Sequence, residues 1–391
     1  MKWINFLHFY QPANIEFYSI QEALDKSYLR LLRLMEEHPN LYMTWNISGC
    51  LLIRLEEEKK FDFINRVKAL VVAGRIELTG SAAYHGFLPL LPEVEVVKQI
   101  KENEIILKKF FGKEFKPCGF FLPEMAYSKE VAKIIKSLGY DWIIVDELAF
   151  NKGNSRPNFS SCYVDKNSNL KVIFRDRKLS GAYPPDRLIK EVKNKVKDKL
   201  AITATDAELY GLRHEDPTAE LERIVKDVNL VTETISSFLK KGVNVTRVSE
   251  VEIVDCSWEA NQKELLNNEP FKLWNDKNNK IHKYLWKLSY LAIALGDKYK
   301  NDPNYQWYNW HLERGLASCT FWWASANDFS NIFGPYAWSP DVIERGLEDL
   351  IRSIRSLEDV KTKGDKLKAE KYYLKIKKLI WKEHWEKHWK K

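Results

Sequence analysis

Short-spaced cysteine pairs are missing from this chain. Its five cysteines, Cys50, Cys118, Cys162, Cys256 and Cys319, are scattered and odd in number. A disulfide framework needs an even, clustered set, and a zinc knuckle needs close pairs, so neither scaffold is expected. No apolar run reaches the length of about eighteen residues that a membrane-spanning helix needs. The opening stretch, MKWINFLHFYQP, is too short and polar for a secretory leader. Tandem repeats and low-complexity linkers are also lacking. Together these absences favour a reducing, cytoplasmic setting.

An excess of one charge is lacking over most of the chain. There are 62 basic and 54 acidic residues, a net charge of +8. Residues 361–391 hold twelve Lys against four acids and carry that entire surplus. A basic tail is compatible with nucleic acid or anionic lipid. Here, however, Tyr373, Ile376, Ile380, Trp381, Trp385 and Trp389 recur at three- and four-residue steps, as on one apolar helix face. The lysines then form the solvated side of that helix. Neither nucleic acid nor membrane is expected as a partner. His384 and His388 flank Glu386 without the H-E-x-x-H order of a zinc protease, and read as packing beside the Trp stripe.

What the chain does have is length and aromatic rings. Its 391 residues suffice for one large domain and a smaller one. Aromatics make up 13%, including 14 Trp, and such rings both fill cores and stack on sugar faces. Up to about residue 250, short apolar runs alternate with amphipathic stretches. The runs at 3–8, 42–46, 76–79, 118–122, 142–145, 201–205 and 244–248 read as strands. The stretches at 20–37, 61–73, 93–111, 128–138, 186–197 and 217–240 read as helices. This alternation builds parallel strands with crossover helices, and its repeat number favours an α/β barrel over an open sheet. Residues 161–165 and 170–175 bracket an Asn-Ser-Asn turn and read as an inserted hairpin. Beyond 256, helical periodicity covers 279–299, 306–325, 340–357 and 366–390, with a turn at 361–365. The expected division is an α/β domain over 1–255 and a helical domain over 256–391.

In parallel α/β folds, functional groups gather beyond the C-terminal ends of the strands. The first strand runs into HFYQP, where His8 and Tyr10 share a side. The third runs into a loop holding Tyr84 and His85. The fourth ends at Pro123, which cannot continue a ladder, and Glu124 follows at once. Ser128 then reads as an N-cap, with Gly139 stopping the helix. In LAITATDAELYGLRH, Ile202, Ala204, Asp206 and Glu208 share one side if the extended backbone continues. Glu124 and Asp206 then face one mouth from nonadjacent strands. Two carboxylates across a mouth suit glycoside hydrolysis, where one protonates the leaving oxygen and the other attacks carbon or activates water.

The motif order resembles glycoside hydrolase family 57. HFYQP at 8–12 is similar to the family's H-x-H-Q-P, and RIELTGSAAYH looks like its second motif. FLPEMA resembles the phrase around its nucleophilic Glu, and DAELYGLRH the phrase around its acid/base Asp. FRDRKLSG at 174–181 and SCTFWWAS at 318–325 resemble two further phrases. The resemblance implies a seven-fold (β/α) barrel with a C-terminal α-helical bundle flanking the cleft. It implies a retaining double displacement on α-1,4-glucans or maltooligosaccharides, by hydrolysis or glucanyl transfer, with no metal and no cofactor. Glu124 would be the nucleophile and Asp206 the acid/base. His8, Gln11, His85 and Glu208 would hold the reacting sugar's hydroxyls, with Tyr10 in place of a motif His. Trp322 and Trp323 would lie on a helix edge near the cleft, for stacking on sugar or for packing. Gly181 stands where the family has a second Asp, and Leu212-Arg213 interrupt a Gly-His-His run. These departures leave room for an altered substrate or a non-catalytic carbohydrate-binding relative. A metal-dependent polysaccharide deacetylase is a more distant alternative, since His8, His85 and Asp206 do not show the usual H-x-x-x-H spacing. The chain ends without the added β-domain of larger members, which favours a small amylase-like enzyme.

Overall fold

The computed structural model describes residues 1–150, 155–193, 199–245, 248–326, 329–330, 334–335 and 338–388. Two compact units emerge. The first comprises Met1–Gln11, Ile15–Ala83 and Val96–Trp258; the second comprises Pro12–Asn14, Tyr84–Glu95 and Glu259–Lys391.

The first unit is an α/β structure. Its strands are β1 (Lys2–Phe9), β2 (Met43–Ile47), β3 (Ile76–Leu78), β4 (Gly119–Phe121), β5 (Trp142–Asp146), β6 (Tyr163–Asp165), β7 (Lys171–Arg175), β8 (Leu200–Asp206), β9 (Val231–Thr232) and β10 (Ser249–Val251). One sheet runs β3-β2-β1-β8, with β9 also on β1, and the other runs β10-β6-β7-β5-β4. All pairs are parallel except β6 with β7. β1 is buried from Trp3 to Phe9, as a central parallel strand covered on both faces must be. Ile4 and Phe6 of β1, Phe121 of β4, Ile144 of β5, Ile173 of β7 and Ile202 and Ala204 of β8 share one apolar cluster. Met125 and Trp258 belong to the same cluster.

The ladders do not close into one seven-stranded sheet. Two seams join them by isolated bonds. Beyond β3, Gly80 pairs with Phe120 of β4; beyond β7, the Asp176 N–H donates to the Ile202 carbonyl of β8 at 2.8 Å.

Several sequence expectations need correction. The region 217–240 is not one helix: Glu220–Val225 and Ile235–Val245 flank β9. The strand expected at 244–248 forms instead as β10, while Asn244 and Val245 end a helix and 246–247 lie outside the described residues. The hairpin is present, yet it is no insertion, because β7 takes its place beside β5. A further helix, Gly49–Glu57, lies outside the expected set. The helix expected over 186–197 runs Pro184–Lys193, with 194–197 outside the described residues.

The second unit is mainly helical: Lys280–Lys298, Tyr305–Gly315, Ser318–Trp322, Pro340–Ser356 and Lys363–Glu383. Tyr305–Gly315 packs on Pro340–Ser356, and Lys280–Lys298 on Lys363–Glu383. The expected helix 306–325 breaks at Leu316 and Ala317. Residues 361–365 are not a turn, since the last helix already starts at Lys363. Strands do not vanish either: Phe329–Ser330 pairs with Gly334–Pro335. Tyr373, Ile376 and Ile380 are buried, but Trp385 is 55% exposed, so the apolar stripe fades toward the end; Trp389 lies outside the described residues. The His384 ring accepts a hydrogen bond from Trp338 Nε1 at 3.3 Å. No cysteine forms a disulfide. No described helix is long and apolar enough to cross a membrane.

Candidate active site

Glu124 sits where β4 stops. Leu122 is extended, as the residue before proline prefers, and Pro123–Met125 forms a single 3₁₀ turn closed by Met125 N–H to Leu122 O at 2.7 Å. Glu124 adopts φ 60°, ψ 16°, and Met125 φ 47°. Left-handed backbone at two successive non-glycine residues costs about 1–3 kcal/mol each and persists only where surroundings enforce it. Those surroundings are explicit. The Trp258 backbone N–H donates to the Glu124 carbonyl at 3.0 Å, and Trp258 Nε1 donates to Glu124 Oε2 at 2.9 Å. Glu124 is 8% exposed, and its carboxylate is aimed by an indole that never titrates. Downstream, Ser128 caps its helix by accepting from Val131 N–H.

Asp206 is the last residue of β8 and stands in register beside His8 of β1. Its Oδ2 accepts from Arg213 Nη1 at 2.6 Å, with side chains 21% and 47% exposed. The extended backbone does not continue, as a 3₁₀ turn at Ala207–Leu209 carries Glu208. Glu208 is buried, and its Oε1 accepts from Gln11 Nε2 at 3.0 Å and from the Tyr28 hydroxyl. Burial, helped by the charge of Asp206, pushes its carboxyl up to about 7. Gly211 makes the loop possible. Its φ is +119°, and a Cβ there would collide with the Lys26 carbonyl oxygen.

His8 joins these groups. Asn46 Nδ2 donates to Thr79 Oγ1 at 3.2 Å, which turns Asn46 Oδ1 toward His8 Nδ1 at 2.8 Å. Nδ1 therefore carries the proton. Burial lowers the imidazole to about 4 against the opposing charge of Asp206, so the ring is neutral at pH 7 and Nε2 is an acceptor. The ring stacks on Tyr10 at 5.7 Å and 14°, lies 4.5 Å from Phe121 and meets Trp258 edge-on at 6.2 Å. The first unit thus brings together His8, Tyr10, Gln11, Glu124, Asp206 and Glu208. Trp258, Tyr28 and Asn46 complete the arrangement, and no sequence motif points to them. Trp258 acts on a residue 134 positions away, for which the sequence holds no local signal.

His85, Trp322 and Trp323 belong to the second unit. His85 has φ 57°, its Nδ1 lies 2.8 Å from Ser318 Oγ, and its carbonyl accepts from the Ser318 N–H. Ser318 opens the short helix that carries Trp322, whose ring meets Trp323 at 4.7 Å and 74°. Both Trp side chains are half-buried. Among the described residues, no three His, Cys, Asp or Glu gather to hold a metal ion.

Chemically, a fixed buried carboxylate, a solvent-reaching carboxylate and neutral acceptors around an apolar floor are the parts of a site for polyhydroxylated substrates. An α-amylase of Pyrococcus horikoshii is 29% identical over 291 residues, covering 68% of this chain and 45% of that protein. A 4-alpha-glucanotransferase of Thermococcus litoralis is 26% identical over 222 residues, covering 55% of this chain and 32% of its own. This chain thus spans about a third to a half of the curated relatives it matches. The crystal structure of the T. litoralis enzyme superposes with a TM-score of 0.70 at 19% identity, covering 92% of this chain and 60% of that one. The α-amylase AmyC of Thermotoga maritima gives 0.68 at 14% identity, covering 96% of both chains. These solved structures share the fold. Residues 3–255 match Glycosyl hydrolase family 57, and the chain belongs to that family.

Proposed function

We propose that this protein is a retaining glycosidase or transglycosylase acting on α-1,4-glucans, with Glu124 as nucleophile and Asp206 as acid/base. The observation that carries this reading is Glu124 itself: a buried carboxylate at a strand exit, in a strained turn, with one oxygen fixed by an indole N–H. Such a group is held for attack in one direction. Asp206, beside His8 and open to solvent on one side, suits proton exchange with an incoming water or sugar hydroxyl.

The steps follow. Asp206 protonates the departing glycosidic oxygen while Glu124 attacks the anomeric carbon, giving a glycosyl ester. The acceptor then loses its proton to Asp206 and displaces Glu124, so configuration is kept. Neutral His8 Nε2 accepts from a sugar hydroxyl, and Glu208 holds Gln11 and receives a second hydroxyl. Under the same reading, His85, Trp322 and Trp323 are substrate-binding groups carried by the second unit, and Tyr10 backs His8. The two sheets are read as the wall of a seven-fold barrel in the order β3-β2-β1-β8-β7-β5-β4, supported by the two seams at Gly80 and Asp176. The second-unit helices are read as its companion bundle. Product analysis on maltoheptaose tests the assignment. Turnover by the wild type and none by Glu124→Gln supports it; equal products from both overturn it. Longer products mean transfer, and shorter ones alone mean hydrolysis.

A further inference from the structure

Arg175 ends β7, is 7% exposed, and belongs to none of the groups assigned above. Its guanidinium makes three bonds. Nε donates to Asp146 Oδ2 at 2.7 Å, Nη1 to the Ala204 carbonyl at 3.2 Å and Nη2 to the Trp258 carbonyl at 2.9 Å. The anchor is firm, because Asp146 Oδ1 also accepts from Arg177 Nη1 and from the Leu148 N–H, each at 3.0 Å. The two carbonyls are the telling part. Ala204 lies two residues before Asp206 on β8. Trp258 grips Glu124 by both its backbone N–H and its indole. One planar group therefore ties the holder of one carboxylate to the strand of the other.

Resting on the function proposed above, we infer that Arg175 is a positioning residue that sets the separation of Glu124 from Asp206. Retention needs the carboxylates about 5–5.5 Å apart, whereas inversion uses roughly 6.5–9.5 Å, so about 1 Å of drift is decisive. A guanidinium holds three partners in fixed directions within one plane. A lysine ammonium is a point charge that rotates, and cannot fix that geometry.

The test is Arg175→Lys in the full chain, which keeps the charge beside Asp146. Expected is a fall in kcat of about tenfold to a hundredfold, as a misplacement near 1 Å produces, with KM changed less than about threefold. KM is held because Arg175 touches neither His8, Gln11 nor Glu208 in any bond described above. Trp258→Phe, which removes the indole donor, is expected to act the same way. The double variant is expected to lose much less than the product of the two single losses, since both act through Glu124. A merely structural Arg175 gives multiplicative losses. A folded Arg175→Lys with wild-type kcat, or with only KM raised, overturns the inference. If Arg175→Lys does not fold, Trp258→Phe decides alone: kcat lost at constant KM supports the link, and unchanged kcat overturns it. Wild-type protein without turnover on maltoheptaose fails the functional reading, and this inference with it. Active wild type with an equally active Arg175→Lys fails this inference only.

Discussion

The exits of β4 and β8 share one local plan, an apolar strand followed by a carboxylate and a 3₁₀ turn, yet they treat their carboxylates in opposite ways. Glu124 is buried, sits in left-handed backbone and is aimed by a neutral donor. Asp206 has relaxed backbone, φ −64°, ψ 141°, and its partner is a half-exposed cation. The contrast matches the two tasks proposed for these carboxylates. A nucleophile gains from a fixed direction, and strain there is the cost of aiming it. A group that must collect and release protons gains from solvent contact and from a partner that can swing away.

The largest effect expected is on Glu124. Glu124→Gln should lower kcat by at least about 10³-fold while thermal unfolding stays close to wild type, measured by product release and by melting. Asp206→Asn should follow with about 10²–10⁴-fold on natural glucans and far less on substrates with an activated leaving group, because only the former need a proton. Equal losses on both substrate types would erase the contrast between the two exits.

Glu208 sharpens it further. Its carboxyl is raised from the ordinary value to about 7, so the fold favours the protonated form. The stability this gives is fully present below the unfolded value near 4.5 and is lost as pH rises through 7. Glu208→Gln stays neutral. It should therefore be more stable than wild type at pH 8, by about 3 kcal/mol, and no more stable at pH 4, while losing activity at both. Urea unfolding at the two pH values measures this. His8 works in the other direction: its pKa is lowered to about 4, so its contribution is present above 6.5 and is lost as pH falls toward 4. The smallest effect belongs to Arg213→Ala. An ion pair this exposed contributes about 0–1 kcal/mol, so unfolding should barely shift, and turnover should change less than about tenfold.

Where Glu124 and Asp206 sit could be read in the chain, and what could not be read has a physical reason. Glu124 was legible because Pro123 ends a strand and the carboxylate follows directly. Asp206 was legible as the polar end of an apolar run. The sequence pattern marks Glu208 but not its setting, since the alternation runs on where a 3₁₀ turn begins. Trp258, Tyr28 and Asn46 were invisible because each acts across a long stretch of chain, through contacts that leave no periodicity. In the fold, long buried strands such as β1 stood out. The two-residue β9 did not, because so short a run cannot show alternation inside a helical pattern. The break at Leu316 and Ala317 was hidden for the opposite reason, as the apolar pattern runs on through it.

The most direct measurement is to trap the glycosyl-enzyme. Wild-type protein incubated with a fluorinated α-glucosyl fluoride, digested and analysed by peptide mass spectrometry, should carry one sugar on the peptide containing Glu124, and the α-anomer should be the first product seen by NMR on maltoheptaose. A sugar on any other carboxylate, or a β-anomer released first, would contradict the account.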